Sequence, residues 1–211
     1  MPFIKFETLN ETSQWGLWFV NETVEELFEN LTLSPFDKEE YKSISHPTRQ
    51  LEWLAARKAM QELVTNSRYQ YHGIQKEANG KSHLFNHQLH ISISHTKDYA
   101  AVMLGSLKEV GIDIELLKTK ITRISHKFVS KYEFHLHTDD TLKLTIAWCA
   151  KEAIYKYLGR EGISFQQHIF LEDFSVRESG TITAFVRHPD IQESVTLCYL
   201  ANSEFCIAYT L

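Results

Sequence analysis

An α+β fold made of two lobes is the architecture this sequence predicts, and three observations predict it. Two strong helical stretches, residues 48–64 and 141–158, fall one in each half of the chain. Each is accompanied by a similar number of strand-like runs. No Gly/Ser/Pro-rich linker or charge block divides the 211 residues, a length that suits one large domain or two small ones sharing a core. The expected lobes are 1–107 and 108–211, packed against each other with a site in the crease.

The elements follow in order. Residues 15–20 read as a strand and 24–31 as one or two helical turns. Ser34-Pro35 is a helix start, with Ser as N-cap and Pro at the first helical position. Leu51, Leu54, Ala55, Met60 and Leu63 recur at helical spacing, and Asn66-Ser67 ends that helix. Leu89, Ile91 and Ile93 alternate with His90, Ser92 and Ser94, the pattern of a strand with one buried face. Residues 99–104 and 110–116 are further strands. A short helix is expected at 121–128, another opening at Ser130, and the second long helix ends at Gly159. The tail offers strand-like runs at 174–177, 181–186, 195–200 and 205–210.

Composition excludes several classes. Hydrophobic residues are 43% and charged residues 23%, as in ordinary globular proteins, and no apolar run approaches the ~18–20 residues of a membrane span. Lys plus Arg total 22 against 27 Asp plus Glu, a net charge of -5, so a general nucleic-acid binder is not expected. Three scattered cysteines do not make a disulfide framework or a Cys-rich zinc site. The opening residues lack the basic and then apolar blocks of a secretion signal. A cytoplasmic protein, not membrane-bound, is the expectation. Among eleven histidines, His135 and His137 come closest to a metal-binding spacing and read as a polar surface pair.

Three segments carry chemistry. In Val110-Gly111-Ile112-Asp113-Ile114-Glu115, the two acids share one side of a strand and the two isoleucines the other. Paired carboxylates repel unless a cation sits between them, and oxygen-only ligands favour Mg²⁺; the alternative is a hydrated strand face. In Trp148-Cys149-Ala150-Lys151-Glu152-Ala153-Ile154-Tyr155-Lys156, Glu152 and Lys156 share a helix face. They read either as a metal ligand beside an anion-binding lysine or as a surface ion pair. Ile91-Ser92-Ile93-Ser94-His95-Thr96 runs a strand into a turn, where His95 can donate to phosphate oxygens or bond local backbone. Arg49 and Arg57 lie eight apart on the first long helix, and Lys81 follows Gly80.

Taken in order, residues 49–57, Asn79-Gly80-Lys81, Ser92-Ile93-Ser94-His95, residues 110–115, residues 127–133 and residues 148–156 resemble the Sfp-type 4′-phosphopantetheinyl transferases. The resemblance spans about residues 49–176. It implies a pseudo-two-fold pair of similar α+β lobes acting as a monomer, with the active site in the cleft. It implies transfer of 4′-phosphopantetheine from coenzyme A to a serine hydroxyl of an apo acyl or peptidyl carrier protein, releasing 3′,5′-ADP. Asp113, Glu115 and Glu152 would hold Mg²⁺. His95 and Lys156 would donate to the diphosphate, and Arg49, Lys81 and Ser94 would hold the 3′-phosphate and adenosine end. Arg57 either joins them or serves packing or a carboxylate. The base that takes the serine proton is Glu152, Glu133 or a water on the metal. Ser130-x-x-Glu133 is also a capping box, which gives Glu133 a structural alternative. Tyr132 and Phe134 are either apolar carrier contacts or core. Ser82, Thr96 and Val129 depart from residues common in the family and leave the main charged positions intact. The rival readings are a coenzyme A-binding sensor or scaffold without transfer, and a metal-dependent phosphohydrolase.

Overall fold

In a computed structural model that describes residues 3–77 and 80–211, the chain divides into two compact units, Met1–Val110 and Gly111–Leu211. Asn79 of the Asn79-Gly80-Lys81 motif lies outside the described residues.

Unit 1 runs β1 (Phe3–Asn10), β2 (Ser13–Phe19), α1 (Val24–Glu29), α2 (Pro35–Ser43), α3 (Pro47–Asn66), β3 (Ile74–Lys76), β4 (Ser82–Leu84), β5 (His90–His95) and β6 (Tyr99–Gly105). Its six strands form one antiparallel sheet in the order β1-β2-β6-β5-β4-β3. The 20-residue α3 lies across β6, β2 and β5. Ala56, Met60 and Leu63 on α3 pack with Ile91, Val102 and Leu104 of the sheet. Apolar residues at helical spacing meet apolar residues at strand spacing, and that match gives the layer.

Two capping boxes open α1 and α2: Thr23 with Glu26, and Ser34 with Asp37. Asp37 is fully buried and does more than cap. Its carboxylate accepts from Ser34 and from the Ile74 amide at 2.8 Å, and Arg57 Nε donates to Oδ1 at 2.7 Å. Gly73 makes this possible. Its φ is +95°, and a Cβ there would stand 2.5 Å from Asp37 Oδ2.

Unit 2 runs β7 (Ile112–Leu116), α4 (Lys120–Ile124), α5 (Thr141–Leu158), α6 (Phe165–His168), β8 (Ile169–Leu171), β9 (Ser179–His188), β10 (Ile191–Ala201) and β11 (Phe205–Thr210). Its antiparallel sheet has the order β7-β11-β10-β9-β8, and α5 lies across β11, β7 and β10. Asp140 caps α5 by accepting from the Leu142 and Lys143 amides. Gly159 ends it in the left-handed conformation, φ +57°. Among the described residues no helix is long and apolar enough to cross a membrane.

Several expected elements differ. The opening is a full strand, β1, and residues 74–76 and 82–84 add two short ones. The run at 174–177 is not a strand; the three-residue β8 just before it takes the edge of the sheet. The helix expected at 121–128 is α4 followed by a 3-10 turn over Ser125–Lys127. No α-helix follows Ser130: the Glu133 amide donates to the Ser130 carbonyl and not to its hydroxyl, so only the carboxylate half of the capping box forms, and a second 3-10 turn, Phe134–Leu136, comes after it.

Candidate active site

Strand β7 alternates as its sequence requires. Ile112 and Ile114 are buried in unit 2, and Asp113 and Glu115 project on the other side. The strand is brought against α5 by Gly111, where a Cβ would lie 1.9 Å from the Ala153 carbonyl oxygen. The Gly111 amide donates to Thr210 Oγ1 at 3.0 Å and fixes the strand's entry. Three α5 residues spaced by four, Trp148, Glu152 and Lys156, share a helix face and meet the two acids. Trp148 Nε1 donates to Glu115 Oε1 at 3.1 Å. Lys156 Nζ donates to Asp113 Oδ1 at 2.7 Å and to the Ile112 carbonyl at 3.1 Å.

Electrostatics register the crowding. Burial pushes the Glu152 carboxyl up from 4.5 to about 7, helped by the Asp113 and Glu115 charges and opposed by Lys156. Burial and then the Asp113 charge also raise Glu115, against the Trp148 hydrogen bond. Three carboxylates thus sit close enough to resist shared ionisation. Among the described residues no three His, Cys, Asp or Glu side chains stand in a ready-made ligand arrangement; Lys156 provides the positive charge here. The donors are nonetheless all carboxylate oxygens, the set that suits a hard divalent cation such as Mg²⁺.

A raised carboxylate stabilises the folded chain in its protonated form. That contribution is fully present below the ordinary value of 4.5 and is lost as pH rises to about 7. Thermal unfolding in a chelator should therefore show Tm falling from about pH 5 to about pH 7, with Glu152→Gln removing that part of the slope. An unchanged slope in the variant would detach Glu152 from the acid cluster.

Glu133 stands apart from this cluster. It is 2% exposed and its Oε2 lies 2.6 Å from the Nζ of Lys151, itself fully buried. Glu133 also accepts from the Ser130 and Leu171 amides, both at 2.8 Å. Lys151 donates in addition to the carbonyls of Phe128, Ile169 and Phe165. A carboxylate so engaged anchors backbone, which is the structural alternative read in Ser130-x-x-Glu133. Sequence reasoning assigned no role to Lys151 or to the Trp148 indole. Lys151 stands one residue before Glu152, off the Glu152–Lys156 face, and no local pattern marks it as buried.

In unit 1, Arg49 and His95 line one pocket of about 990 Å³ together with Glu52, Trp53, Ser45 and Thr48. His95 Nδ1 is 3.6 Å from Glu52 Oε2. The pocket lies at the start of α3, where His46 provides no side-chain cap and the first turn has no acid. Unsatisfied amides and the helix dipole favour an anion at such an end. Ser94 is buried, and Lys81 pairs with Glu109 at 2.6 Å. Arg57 does not line this pocket. Its guanidinium is held by Asp37 and by Glu40 at 2.6 Å and lies 3.3 Å over the Trp53 ring, contacts that match the packing and carboxylate alternative.

The family model described as the 4′-phosphopantetheinyl transferase superfamily matches residues 109–210, a span holding β7, α5 and the whole acid cluster. No curated protein matches the chain.

Proposed function

We propose, from the premise that residues 109–210 form a domain of the 4′-phosphopantetheinyl transferase superfamily, that this protein transfers 4′-phosphopantetheine from coenzyme A to a serine hydroxyl of an apo carrier protein. The observation that carries the reading is the meeting of Asp113, Glu115 and Glu152 with Lys156 inside the matched span. The serine oxygen forms a bond to phosphorus as the pyrophosphate P–O bond breaks, the serine proton goes to a base, and 3′,5′-ADP departs. Charge builds on the phosphate oxygens during that exchange, so catalysis is positioning and neutralisation.

In this reading Asp113, Glu115 and Glu152 hold Mg²⁺, which when bound supplies positive charge to the donor's diphosphate. Trp148 orients Glu115 by its hydrogen bond. Lys156 and His95 donate to diphosphate oxygens. Glu152, or a water at the metal, would take the serine proton. Glu133 is not assigned that part, since both its oxygens already accept hydrogen bonds. Arg49, with Lys81 and Ser94, is assigned to the 3′-phosphate and adenosine end. The pocket of about 990 Å³ that Arg49 lines lies at the upper end of the ~300–1,000 Å³ typical of small-molecule sites.

Incubation with Mg²⁺, coenzyme A and a panel of apo carrier proteins should add one phosphopantetheine mass to a carrier. Coenzyme A binding without any mass gain would overturn the reading in favour of a sensor. Release of inorganic phosphate alone would favour a phosphohydrolase. Arg49→Ala should raise the coenzyme A KM by about tenfold or more with kcat little changed, because the adenosine end is remote from the bond broken. Lost turnover at an unaltered KM would remove Arg49 from that end of the donor.

A further inference from the structure

Glu52 puts a carboxylate into a pocket otherwise suited to anions. It shares the wall with Arg49 and His95, and spacings of three and four place Arg49, Glu52 and Trp53 on one face of α3. An acid there repels the donor's phosphates unless another group answers it. Helix capping does not account for it, because Glu52 lies past the first turn of α3, which starts at Pro47 and holds no acid. Nor does a lysine or arginine hold it. Among the described residues its one ion-pair partner is His95, whose Nδ1 is 3.6 Å from Oε2.

His95 has need of such a partner. Its backbone is fixed: β5 ends on it, it pairs with Ala100 of β6, and the Thr96 amide donates to the Tyr99 carbonyl at 2.8 Å to close the turn. Its side chain is 41% exposed, so packing alone sets neither the ring angle nor the position of the proton. The Glu52 side chain is more enclosed, at 18%, on a helix that lies across the sheet. A carboxylate beside one ring nitrogen draws a proton to that nitrogen and leaves the other to face a ligand. Its charge also favours an imidazolium over a neutral ring, and an imidazolium makes the stronger hydrogen bond to phosphate.

We infer that Glu52 is a positioning residue for His95, holding the Nδ1 side of the ring so that Nε2 presents a proton to the donor's diphosphate. The inference rests on the transfer reading above, which gives His95 its phosphate contact. Arg49 and His46 share the pocket and, when charged, oppose the imidazolium. Lys97 and Asp98 follow in the turn with opposite signs, and the strand partner Ala100 is neutral. Among the described residues Glu52 is the only acid that lines the pocket.

The test uses the full chain as wild type, Glu52→Gln, His95→Gln and the double variant. Coenzyme A binding is measured by calorimetry from about pH 5.5 to about pH 8.5, and the His95 ring nitrogens are followed by nitrogen NMR. Transfer kinetics with Mg²⁺ and apo carrier are measured separately. Glu52→Gln should weaken coenzyme A about five- to tenfold near neutrality. It should also move the loss of affinity at rising pH, where His95 gives up its proton, about half a unit or more to lower pH. In the NMR spectra it should lower the population with the proton on Nδ1. His95→Gln should remove that alkaline limb, and Glu52→Gln added to it should have little further effect, since the two act as one unit. The coenzyme A KM should follow the binding, with the carrier KM within about twofold.

Unchanged affinity and an unmoved limb in Glu52→Gln overturn the inference. Tighter binding in that variant overturns it too and makes the carboxylate a repulsive element. A limb that survives His95→Gln belongs to His46, and additive losses in the double variant give Glu52 a contact of its own; either result also overturns it. Coupling of the two residues in coenzyme A binding, with no carrier modified by the wild type, upholds the positioning and refutes the transfer reading. Transfer by the wild type without that coupling upholds the transfer and refutes the positioning. A wild type that does not bind coenzyme A overturns both.

Discussion

Asp113→Ala should lose phosphopantetheine transfer by well over about a hundredfold while unit 2 stays folded. Even partners that only orient metal ligands are worth about 10–100-fold, so a direct ligand is worth more. The fold should tolerate the change because Asp113, although buried, is not one of the apolar side chains that form the core of unit 2. Its removal strands part of the Lys156 ammonium, which keeps the Ile112 carbonyl at 3.1 Å. It also relieves the repulsion that raises Glu115 and Glu152. The two effects oppose each other, and the metal-free Tm should move little. Asp113→Asn isolates the charge, since an amide oxygen can still accept from Lys156. Turnover within about tenfold of wild type in both variants would take Asp113 out of the proposed site.

Lys151→Met should be the most destabilising single change in the second unit, at about 3–5 kcal/mol in urea denaturation. The substitution preserves an unbranched apolar stem but leaves the Glu133 carboxylate, 2% exposed, without its countercharge. Three carbonyls would lose a donor with it. Adding Glu133→Gln should recover a large part of the loss, because the cost of a broken buried pair is mostly the uncompensated charge. A double-mutant cycle measures that coupling directly. A single variant losing less than about 1 kcal/mol would show that the buried pair is not what ties the 125–136 turns to α5 and β8.

What was legible in the sequence followed from local periodicity. Alternation along 110–115 placed Asp113 and Glu115 on one side of β7, and four-residue spacing placed Glu152 beside Lys156 on α5. Both rules act within one element, so they can be read from neighbours in the chain. The long helices and the capped start of α2 were legible for the same reason. Long-range partners were not. Nothing in the local pattern shows that Lys151 reaches Glu133 eighteen residues away, or that Arg57 reaches Asp37 twenty residues away. The edge strands β1 and β8 were missed because partial exposure blurs an alternating pattern, and β3, β4 and β8 are three residues each. Ser130-x-x-Glu133 shows how a local rule is overridden. The Ser130 amide is satisfied as a capping box requires, yet the Glu133 amide donates to the Ser130 carbonyl and not to its hydroxyl, and only a 3-10 turn follows.

The bare α-carbon at position 111 works as a spacer whose value is its emptiness. Any side chain there would wedge the first strand of the second unit off its helix, and the acids two and four residues onward would move with it. A saturation scan scored on turnover would rank this site with the carboxylates themselves, although it touches neither donor nor acceptor. Thermal melts would tell it from them, since the wedge disturbs packing as well as chemistry.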